Sequence, residues 1–150
     1  MIMQKILIIN GPNLNMLDKR DVKIYGNGNL EKAKQDCNLI AKEINFSIDF
    51  KQSNSEADII DFIQQAIDIY DGIIINAAAY THSSVAIRDA LEIFHKPKIE
   101  LHISNISKRE QFRHHSYISP VVDAVISGLG IDGYAISVFA MKNLIEKNCN

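Results

Sequence analysis

Ile6-Leu7-Ile8-Ile9-Asn10-Gly11-Pro12-Asn13-Leu14 decides how this chain folds. Four consecutive aliphatic residues leave no solvent face. An apolar run of that length, closed by Asn, Gly and Pro, reads as a buried strand whose C-terminal tip opens into a loop. Residues 5–10 are the expected strand. The connection after it, residues 11–29, is long for a turn between a strand and a helix, where two to six residues are usual. It opens on Gly-Pro-Asn, crosses Asp18-Lys19-Arg20-Asp21 and closes on Tyr25-Gly26. Such loops act as lids or binding segments, and this one is expected to lie mostly outside the core.

Outward from this stretch the chain alternates between two periods. Leu30, Ala33, Cys37, Ile40, Ala41 and Ile44 share one face at helical spacing, which predicts a helix over 30–45 behind the cap Asn29. Ile48 and Phe50 alternate with polar neighbours, as on an edge strand over 47–52. Ser53-Asn54-Ser55-Glu56 turns the chain into a helix over 56–70, striped by Ile59, Ile60, Ile63, Ala66, Ile67 and Tyr70. Gly72-Ile73-Ile74-Ile75-Asn76 repeats the pattern of the first strand. A small-residue loop, 77–82, then meets Ser83-Ser84 and a helix ending near Phe94. Pro97 precedes a strand over 98–102. Residues 104–119 are polar and basic, residues 124–127 read as a fifth strand, and Gly128 and Gly130 lead into a helix over 131–146.

The order βαβαβαβ, a long loop and a final βα implies a parallel sheet covered by helices on both faces. Five strands in 150 residues suit a doubly wound, flavodoxin-like α/β fold of strand order 2-1-3-4-5, spanning 1–150 as one domain. A formal net charge of −2 gives no general reason to expect nucleic acid or membrane surfaces as partners. Two cysteines, Cys37 and Cys149, make no disulfide framework and have no metal-ligand spacing. The N-terminus shows no signal-peptide pattern, and no apolar run approaches the ~20 residues of a membrane span. A cytoplasmic location is the expectation.

In such a sheet, ligands bind beyond the C-terminal strand ends, at the point where the strand order reverses. Those ends carry Asn10 and Asn13, then Asn76 and His82, then Glu100, His102 and Ser104, with Arg109 and Arg113 following and Arg20 and Tyr25 on the first loop. Each has a structural alternative. Asn13 tolerates a left-handed turn, a single His82 or His102 is commonly a hydrogen-bonded core residue, and Arg109 with Arg113 fits a solvated helical face. Glu100 and His102, two apart on a strand, point the same way; that suits a carboxylate orienting an imidazole, and equally a buried ion pair. Convergence at three strand tips favours a site. No P-loop, GxGxxG or nucleophile elbow is present, and no acidic pair for a divalent cation follows the first strand. Acid–base chemistry on a small polar anion, without metal or cofactor, is the expected activity.

An ordered set of motifs resembles the type II 3-dehydroquinate dehydratases over nearly the whole chain. The set is Asn10-Gly-Pro-Asn-Leu14, Arg20 with Tyr25-Gly26, Asn76 with Tyr80-Thr-His82-Ser, Arg88-Asp89, Glu100-Leu-His102-Ile-Ser104-Asn, Arg109-Glu-Gln-Phe-Arg113 and His115-Ser-Tyr. At Ala77-Ala78 many members carry Pro-Gly, a departure that bears on loop stiffness. The resemblance implies anti elimination of water from 3-dehydroquinate to 3-dehydroshikimate through an enolate, in the shikimate pathway or, alternatively, in quinate catabolism. It implies Tyr25 as the base at C2, Arg20 as its partner, Asn13 at the enolate, and His102 as the acid at the departing hydroxyl with Glu100 behind it. A free phenol, with a pKa of about 10, is a poor base at neutral pH, and a nearby guanidinium favours its ionised form. Asn76, His82, the Ile103 backbone, Ser104 and Arg113 are implied as substrate contacts. Trimers assembling to a dodecamer are implied too, with Asp89 reaching a neighbouring subunit's site. A flavodoxin-like electron carrier or a non-catalytic binding module are the competing readings.

Overall fold

The computed structural model describes residues 2–150. Five parallel strands, β1 (Gln4–Asn10), β2 (Phe46–Gln52), β3 (Gly72–Asn76), β4 (Lys98–His102) and β5 (Ala124–Ser127), lie in the order β2-β1-β3-β4-β5. That is the expected doubly wound α/β order. The register aligns the strand ends: Asn10 stands opposite Gln52 on one side and Asn76 on the other. Ile75 pairs with Glu100, and His102 with Ser127.

The pleat sends alternate residues of each strand to opposite faces. Ile6, Ile8, Ile74, Ile99 and Leu101 therefore pack with Ala33, Cys37 and Ala41 of α2 (Leu30–Glu43) and with Tyr134, Val138 and Met141 of α5 (Asp132–Asn148). Leu7, Ile9, Ile73 and Ile75 pack on the other face against Ile59 and Ile63 of α3 (Glu56–Ala66) and Ile87 and Leu91 of α4 (Val85–Ile93). Each of these isoleucines is fully buried, worth about 1.5–3 kcal/mol apiece relative to exposure. Side-chain caps start the helices: Asn29, Ser55 and Ser84 accept the backbone N–H of Lys32, Asp58 and Ile87, each contributing ~1 kcal/mol. Lys98, buried at the start of β4, caps α4 at its other end by donating Nζ–H to the carbonyls of Leu91 and Phe94; burial holds its amine below the ordinary lysine value.

Some boundaries differ from the sequence expectation. The first long helix stops at Glu43, and Asn45 takes a left-handed φ of 59°, which an asparagine tolerates. The next stops at Ala66, because residues 67–70 turn to place Asp71 on β1, where its N–H meets Lys5 O and its carboxylate meets Lys5 N–H. The larger correction concerns residues 11–29. They form a 3-10 segment (Leu14–Lys19) and a one-turn helix, α1 (Val22–Tyr25), and they bury Leu14, Leu17 and Tyr25 in the α2/α5 core. Short turns have no hydrophobic period to reveal that anchoring. Cys37 is buried, its thiol pushed up to about 12 by burial, while Cys149 is exposed; neither is in a disulfide. No helix among the described residues is long and apolar enough to cross a membrane.

Candidate active site

The tips of β1, β3 and β4 open into one cleft of about 140 Å³. Its floor depends on a close approach between two loops. Gly11 donates its N–H to Asn76 O at 2.8 Å, and a Cβ at Gly11 would lie 2.4 Å from Ala77 O, so only glycine fits. Asn13 follows with φ 68°, its N–H held by Asn54 Oδ1 at 3.0 Å. Across from it Ala78, φ 52°, also sits in the left-handed region, its N–H bonded to Asn76 Oδ1 at 3.2 Å. A Cβ in that region costs ~1–2 kcal/mol.

The lid lies over the cleft on α1. Asp21 caps that turn by accepting Lys23 N–H at 2.9 Å, which presents Tyr25 inward. Arg20 hydrogen-bonds Tyr25 Oη, and its guanidinium carbon lies 3.9 Å from the ring centroid. A second guanidinium, Arg109, lies 5.1 Å from the same ring and reaches Ser104 Oγ at 3.4 Å. Tyr25 is thus flanked by two guanidiniums, one bonded to its hydroxyl and one against its ring.

A second wall of the cleft is built on β4. His102 Nε2 meets Glu100 Oε2 at 2.5 Å, and both side chains are buried. The hydroxyls of Ser116 and Ser119 donate to Glu100 Oε1 at 3.0 and 2.7 Å. Burial alone raises the Glu100 carboxyl, but His102, Ser119 and Ser116 together hold it below the usual carboxylate range. With Nε2 committed to Glu100, His102 Nδ1 is the nitrogen left for the cleft. His82 stacks on His102 with centroids 6.4 Å apart. His82 Nδ1 lies 2.8 Å from the carbonyl of His115, an acceptor that fixes the ring proton there and leaves Nε2 an acceptor. Burial, with lesser help from His102 and Arg113, keeps His82 below the ordinary imidazole value and therefore neutral at pH 7. Ile103 also lines the cleft, its carbonyl accepting from Gly130 N–H at 3.0 Å. Arg113 completes the rim, paired with exposed Glu110 at 2.7 Å.

Asn13, Arg20, Tyr25, Asn76, His82, His102, Ile103, Ser104 and Arg113 thus line one cleft, with Glu100 directly behind His102. Asp89 does not join them; it is exposed on α4, outside this cleft. Arg109, expected near the strand tips but given no role by the resemblance, also lines it. A helical reading of 109–113 makes Arg109 and Arg113 equivalent, whereas the chain here breaks into separate 3-10 turns, Ile106–Lys108 and Gln111–Arg113. The aromatic partner that distinguishes Arg109 is 84 positions away in sequence.

A doubly wound α/β chain with three arginines and two histidines around its switch-point cleft, and one buried carboxylate paired to a histidine, is built for acid–base chemistry on an anion. The comparisons with known proteins agree. Residues 4–142 match the family model for class II dehydroquinases. The chain is 51% identical over 145 residues to the 3-dehydroquinate dehydratase of Bartonella tribocorum, covering 96% of each. It is 49% identical to that of Acaryochloris marina over 91% of each. Among solved structures, the type II dehydroquinase of Butyrivibrio crossotus superposes with a TM-score of 0.90 at 48% identity, over 93% of this chain and 98% of that one. The chain belongs to the class II dehydroquinase family.

Proposed function

We propose that this chain dehydrates 3-dehydroquinate to 3-dehydroshikimate, a hydro-lyase reaction of the shikimate pathway. The observation that carries the reading is a single cleft lined both by a tyrosine flanked by two guanidiniums and by a histidine backed by a buried carboxylate. An elimination needs a base on one face of the substrate and an acid on the other.

Tyr25 takes the C2 proton, and Arg20 and Arg109 supply the positive field at its oxygen. Electrons move into the carbonyl, and the enolate oxygen is met by Asn13 through a held water. His102 then gives its Nδ1 proton to the departing C1 hydroxyl, which leaves as water, while Glu100 stabilises the charged imidazole. Arg113 binds the substrate carboxylate, a geometry guanidinium satisfies with two parallel hydrogen bonds, and exchanges its Glu110 contact to do so. Asn76, neutral His82, the Ile103 N–H and Ser104 hold the hydroxyls. No step calls for a metal or an organic cofactor.

Asp89 belongs to a neighbouring subunit's site in this reading, within trimers that assemble to a dodecamer. Its surroundings support a contact face: Val85 and Ile93, one turn to either side on α4, are 51% and 54% exposed. The cytoplasm is the proposed location. The direct test follows the enone absorbance of 3-dehydroshikimate when purified protein meets 3-dehydroquinate. Absence of that signal, with substrate intact by chromatography, overturns the reading. A binding module of the same fold would give binding without turnover.

A further inference from the structure

Beneath the cleft runs a chain of hydrogen bonds that the mechanism above does not use. The Lys51 carbonyl accepts from Asn10 Nδ2 at 3.1 Å. Asn10 Oδ1 accepts the hydroxyl proton of Tyr134 at 2.6 Å. Tyr134 Oη accepts from Asn76 Nδ2 at 3.1 Å, and Asn76 Oδ1 accepts the Ala78 N–H at 3.2 Å. Asn10, Asn76 and Tyr134 are all buried.

The polarity of this chain is set from both ends by the backbone. A carbonyl only accepts, so Lys51 fixes Asn10 with its nitrogen outward and its oxygen toward Tyr134. An N–H only donates, so Ala78 fixes Asn76 with its oxygen toward the loop and its nitrogen toward Tyr134. The one hydroxyl proton of Tyr134 then has a single destination, Asn10, and its lone pair a single donor, Asn76. Phe50, 5.8 Å from the Tyr134 ring centroid, helps hold the ring in place. With these bonds made, Asn76 keeps one N–H and one carbonyl lone pair for the cleft, in a fixed order.

We infer that Tyr134, on the first turn of the last helix, is a positioning residue for catalysis: it fixes the direction in which the Asn76 amide meets the substrate. The inference rests on the reading of the cleft as a 3-dehydroquinate site. Tyr134 touches no substrate itself and acts only through Asn76. Without its hydroxyl, Ala78 is the single anchor of that amide, and the Asn10 carbonyl loses its donor.

The test is a double-mutant cycle. Tyr134→Phe, Asn76→Ala and the pair are assayed for kcat and KM with 3-dehydroquinate, and for binding of 3-dehydroshikimate by calorimetry. Tyr134→Phe is expected to lower kcat/KM about tenfold, the scale of one well-made hydrogen bond. In the Asn76→Ala background the same change is expected to cost less than about twofold, because the group it positions is gone. If Tyr134→Phe costs the same factor in both backgrounds, or nothing in the first, Tyr134 is a packing residue and the inference is wrong. Where the orphaned Asn10 oxygen prevents folding, the whole cycle is run in an Asn10→Leu background, in which Tyr134→Phe leaves no orphan, with the same criteria. A wild-type protein inactive on 3-dehydroquinate would instead refute the functional reading.

Discussion

Glu100→Gln isolates what the buried carboxylate does, because it alters one charge and almost no volume. In the native side chain Oε1 accepts the two serine hydroxyls and Oε2 faces His102 Nε2 at 2.5 Å. In the amide, the oxygen must stay with the serines, since they donate. The NH₂ group then faces His102, whose Nε2 can only accept from it. The imidazole is forced into the Nδ1–H tautomer and loses the partner of its positive charge. A hydrogen bond to a charged group is worth roughly 1.5–3 kcal/mol. At 1.36 kcal/mol per tenfold, kcat should fall about 10- to 150-fold. KM should stay within about threefold, because Glu100 lies behind His102 and touches no substrate. The fold should survive, as both serine hydroxyls remain paired. Steady-state kinetics by enone absorbance, with thermal unfolding as the control, reads all three quantities. A kcat within about threefold of wild type would refute the carboxylate's role in proton delivery. A rise in KM at unchanged kcat would make Glu100 a binding residue.

Four further outcomes are expected. Tyr25→Phe should abolish nearly all turnover while circular dichroism and unfolding temperature change little, because its ring, not its hydroxyl, is packed in the core; Arg109→Ala should cut kcat at least about tenfold by removing one of the two guanidiniums at that ring. Ala78→Gly should raise stability by up to ~1 kcal/mol in urea titrations, relief of the left-handed Cβ being partly offset by the entropy of an unfolded glycine. Acid should destabilise the chain: the folded Glu100 carboxyl lies below its unfolded value, so its contribution is present above about pH 4.3 and is lost as pH falls through the lower, folded value. His82, lowered by burial, adds a loss in the same direction beginning near pH 6.5. The stability gap between wild type and Glu100→Gln should narrow in acid as the wild-type carboxylate is protonated.

The strands and the residues at their tips were legible because two strong signals coincide there. Buried runs such as Ile73-Ile74-Ile75 end in Asn76, and Lys98–His102 matches its expected bounds. Parallel connectivity then fixes which tips are neighbours. Legibility fails where structure has no period. Leu14, Leu17 and Tyr25 reach the core from single turns, and Arg109 differs from Arg113 only through contacts made across the fold. The Tyr134 link was invisible for the same reason: its partners are 58 and 124 residues away. Ile67 and Tyr70 matched a helical stripe while lying in a turn, because a buried turn and a helix end present the same apolar residues.

The length of that last link has a consequence for biogenesis. Every group proposed to touch substrate has been synthesised by Arg113, yet β1 remains half covered until α5 docks, because α5 closes the α2 face of the sheet. The nascent chain therefore carries the full set of reactive side chains with an exposed apolar wall beneath them. Its first strand waits for its last helix, an interval of many seconds to a few at ordinary translation rates of about 5–20 residues per second. Chains truncated before residue 132 should behave as chaperone clients and protease substrates and not as slow enzymes, and competence should arrive in one step with the C-terminal helix.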